Sequence, residues 1–193
     1  MEAEIEAKDR KVLELRRLGD PILRAKAKTL TKSEVLLPET QALIDNMYYT
    51  CAEKDYGVGL SASQVGQNLA ISIVAIKPTP TRPNSVPFDE VLINTKIVEA
   101  FGEPTLKWEG CCSIGGPAFE SLIFGLVPRY KKVRIKYLDR HGEPQEKTVK
   151  DFVAHVVQHE TDHLGGILFT DIADPQSLMM GDEYKKRITE ARK

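Results

Sequence analysis

The sequence is too poor in cysteine for a disulfide framework. It has three in 193 residues, two of them adjacent at Cys111 and Cys112. A reducing compartment, with at least one thiol in chemical use, is the expectation that follows. Charge of one sign is not in excess either. Twenty-seven basic residues face 28 acidic ones, a formal charge of -1, which excludes the global basic field of a protein that coats nucleic acid or an anionic membrane. DNA and membranes are therefore not expected as partners. No apolar run is long enough to cross a bilayer. Met1 to Lys11 carries four acidic residues and no apolar centre, unlike a secretory signal or an acid-poor transit peptide, so a cytoplasmic location is expected. Internal repeats and low-complexity linkers are missing as well. What is present, 41% hydrophobic residues over a length that suits one core, predicts a single domain over 1–193. A charged extension at 1–14 and a charged helix at 177–193 form its two ends.

Local patterns give a coarse order of elements. Gly19-Asp20-Pro21 marks a turn. Leu43, Ile44 and Met47 at helical spacing after Pro38-Glu39-Thr40 predict a helix that ends before Gly57. Leu69 to Ile76, rich in Ile and Val, reads as a buried strand, and Val91 to Val98 as a second. Between them Lys77 to Pro87, with four prolines, is a loop. Val133, Ile135 and Tyr137 alternate with Arg134 and Lys136 before the turn Asp139-Arg140-His141-Gly142, which predicts a hairpin returning through Glu146 to Thr148. From Val149 the period becomes helical, and Gly165-Gly166 supplies a stop. Strands gathered ahead of one central helix indicate an α+β fold, with antiparallel strands packed around that helix and a C-terminal helix at the end.

The central helix carries the chemistry. In Gln158-His159-Glu160-Thr161-Asp162-His163, residues four apart stack on one face, so His159 and His163 can aim two imidazoles at one ion with Glu160 beside the open position. At about 100° per residue, Glu160 also falls within the apolar stripe of Val149, Phe152, Val153, Val156 and Leu164. A carboxylate without a partner is expensive to bury, so a nearby cation explains Glu160 better than a solvated helix face does. His155 extends the ladder by one more step. At about 1.5 Å per residue it lies about 12 Å from His163, too far to share an ion, and it reads as a pocket wall.

A catalytic site of this type needs a third protein ligand. His141 sits in a turn and Cys51 at the end of an amphipathic helix, which leaves the segment Glu109-Gly110-Cys111-Cys112-Ser113. With that segment the chain resembles the peptide deformylase family. Three motifs stand in the family's order: Gly57-Val58-Gly59-Leu60-Ser61-Ala62-Ser63-Gln64, Glu109 to Ser113, and Gln158 to His163. Gly19 to Arg24 resembles the family's N-terminal segment, so the likeness covers about residues 15–172.

The resemblance implies an enzyme that removes the formyl group from formylmethionyl nascent peptides and releases formate. It implies one divalent ion held by Cys111, His159 and His163, iron(II) in the cell with zinc or nickel as substitutes. It gives Glu160 the task of moving the proton to the leaving amine. Gln64 and the backbone N–H of Cys112 would stabilise the oxyanion. Gly59 and Gly110 would let an extended peptide approach the backbone, and Val58, Leu60, Phe152 and Val156 would form the methionine pocket, with core packing the competing role for the four apolar residues. Ser61 and Ser63 replace the family's usual Ala and Pro, and Cys112 replaces Leu. The apolar stretch Gly115 to Phe124 is a candidate for shaping substrate access.

Rival readings are weaker on the same residues. Gly57-x-Gly59-x-x-Ala62 would suit a dinucleotide site only after a strand, and a helix precedes it. A metallopeptidase is disfavoured by a cysteine ligand that comes before the helix, and a metal-binding relative without turnover is kept open by the three departures. The tail from Asp182 to Lys193, five basic and three acidic residues, permits a weak contact with the ribosome, though a solvated helix face is the ordinary reading.

Overall fold

The structure is a computed structural model that describes residues 10–54, 57–79 and 83–190. The first nine residues of the predicted N-terminal extension and the last three of the predicted C-terminal helix lie outside the described residues. Residues 10–18 run along the surface without regular structure and are tied down by their backbone. Lys11 N–H donates to Asn46 Oδ1 and Leu13 N–H to Thr50 Oγ1.

A short helix α1 (Lys32–Val35), closed by a capping box between Thr31 and Glu34, leads into α2 (Pro38–Lys54). Strands β1 (Gly59–Ser61), β2 (Ile71–Ile76) and β3 (Phe88–Phe101) follow, then β4 (Thr105–Gly115) and β5 (Leu122–Arg129). The hairpin β6 (Lys132–Leu138) and β7 (Pro144–Lys150) precedes the central helix α3 (Asp151–Leu164). The chain closes with α4 (Phe169–Ile172), β8 (Met179–Met180) and α5 (Gly181–Tyr184), the last continued by a π-helical turn over Lys185–Thr189.

The strands form two antiparallel sheets, a five-stranded one in the order β1-β2-β3-β6-β7 and a three-stranded one in the order β4-β5-β8. Strand β2 is buried on both faces, as its apolar run, broken only by Ser72, predicts. Ile71 and Ile73 pack toward α2 with Ile44 and Met47, while Val74 and Ile76 pack toward α3 with Val153 and Val157. Helix α3 thus lies on the large sheet, and its other side meets β4 of the small one. Two irregularities bend β3 where it pairs with β6. Asn94 sits at one of them with φ 56°, and its side chain ties down both backbone groups of Leu30.

Several predicted boundaries move. Val149 belongs to β7 rather than to the helix, and Val133 pairs with it across the hairpin. Helix α3 begins only at Asp151, where φ is 53° and the chain turns out of the strand. Its C-terminal stop is where Gly165-Gly166 places it. Gly166 has φ 73°, and a Cβ there would overlap the Arg24 carbonyl oxygen.

The C-terminal helix is present but does not start at Ser177. Asp174 caps a short turn over Pro175–Ser177, and Met179 and Met180 then pair with Phe124 and Ile123 of β5. Helix starts only at Gly181, where a Cβ would overlap the Phe119 carbonyl. Pairing to a distant strand overrides the local helical pattern here. The stretch 115–124 forms the β4–β5 connection and the start of β5. Within it Phe124 stacks on Tyr184 with 4.2 Å between ring centroids, and its edge packs over Gly110, where a Cβ would come within 2.7 Å.

Candidate metal centre

Strand β4 explains how a polar segment reaches the interior. Alternate side chains point to the same face of a strand, so Glu109, Cys111 and Ser113 all turn inward against α3, and all three are buried. From α3, His159 and His163 project toward them one turn apart, their rings edge to face with centroids separated by 4.8 Å. One ligand atom from each of Cys111, His159 and His163 falls within 4.8 Å of the others, and Cys111 Sγ is 3.5 Å from His163 Nε2. The 3.5 Å sulfur–nitrogen separation is the edge that a tetrahedral ion with bonds of about 2.3 Å to sulfur and about 2.1 Å to nitrogen produces.

The donor set fits a divalent transition ion. Burial, then the neighbouring His159, holds His163 well below the usual histidine range, so it is neutral and offers a lone pair. Its Nε2 faces the cluster, 3.5 Å from Cys111 Sγ, while its Nδ1 is buried and has no hydrogen-bond partner among the described residues. The Cys112 thiol beside it, together with burial, pushes the Cys111 thiol upward, so without a cation it has no reason to ionise. A bound ion reverses this and makes the sulfur a thiolate.

A second layer fixes the first. His159 Nδ1 bonds Glu109 Oε1, which leaves Nε2 to face the cluster, and His155 Nε2 lies 3.1 Å from Glu109 Oε2. Arg129, at the end of β5, grips the same carboxylate with two hydrogen bonds of 2.9 Å and reaches Asp162 at 2.6 Å with its remaining amino group. Burial alone would raise the Glu109 carboxyl, but hydrogen bonds from His155, His159 and Arg129 outweigh it and hold the group far below the usual carboxylate range. Neither Glu109 nor Arg129 is singled out by sequence reasoning. Glu109 lies within a recognised motif but without a task, and Arg129 has no motif around it. The usable signal was period-2 spacing from Cys111 back to Glu109.

Removing the arginine tests this layer. Arg129→Met leaves Glu109 buried against imidazoles alone and is expected to lower unfolding free energy by about 3–5 kcal/mol, as for a buried pair broken on one side. Because the folded Glu109 carboxyl is depressed, its contribution is complete above about pH 4.3 and is lost as pH falls below that toward the folded value. Urea denaturation of both proteins at neutral pH measures the difference. A loss under about 1 kcal/mol would mean the ion pair is as weak as a surface one.

The cavity in front of these ligands holds about 170 Å³ and is lined by Val58, Gly59, Gln64, Trp108, Gly110, Cys112, Phe152, His155, Val156 and Glu160, among others. The predicted residues therefore converge, with one exception. Leu60 is fully buried in the core that α2 shares with the large sheet and does not reach the cavity, because neighbours on a strand face opposite ways. His155 lines the cavity as a wall. None of 115–124 does so, although Phe124 supports Gly110 from behind. A larger cleft of about 1050 Å³ lies between 83–90 and β7, but it shares only Phe152 with the cavity and has no ligand cluster.

Glu160 is 4% exposed, and a Cβ at Gly59 would overlap its Oε1. Burial pushes its carboxyl above the ordinary range, while His159 and a hydroxyl from Ser61 pull the other way. Gln64 is equally buried. Its Oε1 accepts from Ser61 N–H at 2.8 Å, which turns Nε2 toward Cys111 Sγ, Cys112 Sγ and Ser113 Oγ at 3.3, 3.3 and 3.2 Å. The β4–β5 register breaks between Gly110 and Gly115, so no β5 partner pairs with 111–114. The N-terminal segment holds both loops in place. Arg16 N–H donates to Gln64 O, Leu18 N–H to Ser113 O, and Arg17 Nη1 to Cys112 O at 2.6 Å. Gln158, between the ligands and the hairpin, is structural. It bonds Tyr130 through both ends of its amide.

Known proteins resemble this chain over most of its length. The profile of the polypeptide deformylase family matches residues 12–178. A peptide deformylase 2 from Nostoc sp. is 37% identical over 180 residues, 92% of this chain and 96% of its own. Among solved structures, a class I type b peptide deformylase from Acinetobacter baumannii with Met-Ala-Ser bound superposes with a TM-score of 0.75 at 35% identity, covering 84% of this chain and 98% of that one. A Synechococcus elongatus peptide deformylase in complex with actinonin gives 0.73 at 32% identity over 94% of this chain and 90% of that one. The match spans nearly the whole chain at identities well above those of fold likeness alone, and the chain belongs to the peptide deformylase family.

Proposed function

We propose that Cys111, His159 and His163 hold the ion, that Glu160 moves the proton, and that Gln64 with the backbone N–H of Cys112 receives the oxyanion. The enzyme is a metal-dependent hydrolase that removes the N-terminal formyl group from nascent peptides. The observation that carries the residue assignment is the convergence of three ligand atoms within 4.8 Å beside a buried carboxylate.

When bound, the ion supplies Lewis acidity and a water of lowered pKa. The chain does the rest. Glu160 accepts a proton from the attacking water and delivers it to the amine as the C–N bond breaks, releasing formate and a free N-terminus. A raised carboxyl pKa suits a group that must both take and give a proton. Gln64 Nε2 and the N–H of residue 112 donate to the oxygen that becomes negative; Ser61 N–H fixes the Gln64 amide through its oxygen, and Arg17 steadies the backbone at residue 112 through its carbonyl. Val58, Phe152 and Val156 form an apolar wall for the methionine side chain, while Gly59 and Gly110 leave room for the peptide backbone. Iron(II) is proposed as the cellular ion on the family resemblance, and one thiolate with two imidazoles suits it, zinc and nickel alike. Substrates that are nascent chains support a cytoplasmic location for the enzyme. A weak ribosome contact through the C-terminal segment is supported, among the described residues, by the exposed Lys185, Lys186 and Arg187.

Protein purified without air is expected to carry one equivalent of transition metal and to release formate from formyl-Met-Ala-Ser, and a chelator should abolish both. Elemental analysis beside a formate assay decides the matter. Less than half an equivalent after iron supplementation, or full activity in the chelator, would overturn the assignment of the ligands.

A further inference from the structure

Two buried hydroxyls at the site have no part in the chemistry so far. Ser61 and Ser72 sit directly opposite each other in the β1–β2 ladder, and both are buried. Ser61 Oγ lies 2.6 Å from Glu160 Oε2, 3.3 Å from the Glu160 backbone oxygen and 2.7 Å from Ser72 Oγ. Residues two apart on a strand share a face, so Gly59 and Ser61 both meet Glu160. The missing side chain at Gly59 opens the space that Oε1 fills. The hydroxyl at Ser61 grips the other oxygen.

The direction of these bonds follows from what each group can do. An ionised carboxylate only accepts, so the single proton of Ser61 goes to Glu160 and Ser72 is left to donate to Ser61. A hydroxyl–carboxylate bond of this length is of the strong, charge-assisted kind. We infer that Ser61, oriented by Ser72, is a positioning residue for deformylation. It anchors Oε2 and so leaves Oε1, lying along Gly59 on the cavity wall, as the oxygen that exchanges the proton. This rests on the reading of Glu160 as the group that moves the proton. General acid–base catalysis is sensitive to the placement of the transferring atom, so a carboxylate free to rotate about its last torsion spends less time in the productive orientation.

The test uses metal-loaded protein and formyl-Met-Ala-Ser, with Ser61→Ala, Glu160→Gln and the double variant measured side by side. Ser61→Ala is expected to lower kcat about 10-fold, the loss of one charge-assisted hydrogen bond, while KM stays within about two-fold and metal content is unchanged. In the Glu160→Gln background the same replacement should alter the residual kcat by less than about two-fold, because there is no carboxylate left to position. A wild-type kcat in Ser61→Ala, or an equal loss in both backgrounds, would overturn the inference. Wild-type turnover in Glu160→Gln would instead overturn the reading of Glu160, and the two failures are distinguishable. Ser72→Ala leaves Ser61 in place and keeps the test decisive if Ser61→Ala does not fold. Its kcat should fall about three-fold with KM and metal unchanged, as for a weakened second link in a chain of hydroxyls. In that case a wild-type kcat for Ser72→Ala overturns the proposal.

Discussion

Cys111→Ser is expected to lose metal and formate release together, whereas Cys112→Leu keeps both. The two thiols are adjacent and both lie 3.3 Å from Gln64 Nε2, yet only Cys111 belongs to the cluster of candidate ligand atoms. Cys111 is buried with its sulfur 3.5 Å from His163 Nε2, while Cys112 is partly exposed and lines the substrate cavity. A neutral hydroxyl is a poor substitute for a thiolate on a soft-to-borderline ion, so the serine variant falls to two protein ligands. Residue 112 is proposed to act through its backbone, whose carbonyl Arg17 holds at 2.6 Å, and a leucine keeps that backbone in place. It also removes an oxidisable neighbour of the ligand, so Cys112→Leu should withstand mild peroxide better than the wild type. Metal content and formate release for both variants, before and after oxidation, measure this. Metal retained by Cys111→Ser but lost from Cys112→Leu would move the ligand by one residue, and loss from both would require a two-thiolate site.

Glu160→Gln is expected to retain its metal and lose about 10²-fold or more in kcat, the usual cost of a missing general acid/base. The amide is close in size to the carboxylate, so it fits against Gly59 and still accepts from Ser61. It cannot take a proton from water. Steady-state kinetics with elemental analysis separate the possibilities. Retained turnover would reassign the proton transfer, and loss of the ion would make Glu160 a ligand.

Much of the site was readable before folding because α3 obeys one period. Histidines at 159 and 163 fall on one helix face by covalent geometry, and a glutamate inside an apolar stripe signals a buried cation without reference to other elements. The buried strand β2 and the hairpin β6–β7 were equally plain from their patterns. Strands β4 and β5 were not. The inward face of β4 carries Glu109, Cys111 and Ser113 where a core strand would carry Val or Ile, so its alternation is invisible to a hydrophobic pattern. Strand β1 is three residues long and opens on a glycine, below what any periodicity can register.

The sequence by itself determined the candidate ligand pair on α3, the α+β character and, through three ordered motifs, the family. Tertiary structure alone decided how β4 brings Cys111 to that pair and what holds it there. Arg129 reaches Glu109 across two strands, Arg16 and Arg17 join the Gln64 and Cys112 loops, and Met179 and Met180 leave a helical pattern to pair with β5. Each of these is a contact between residues far apart in the chain, where local propensity is silent. The same reason explains Ser61, a small polar residue after a turn in the sequence, which gains a partner only when β1 is laid against α3 and its hydroxyl meets Glu160.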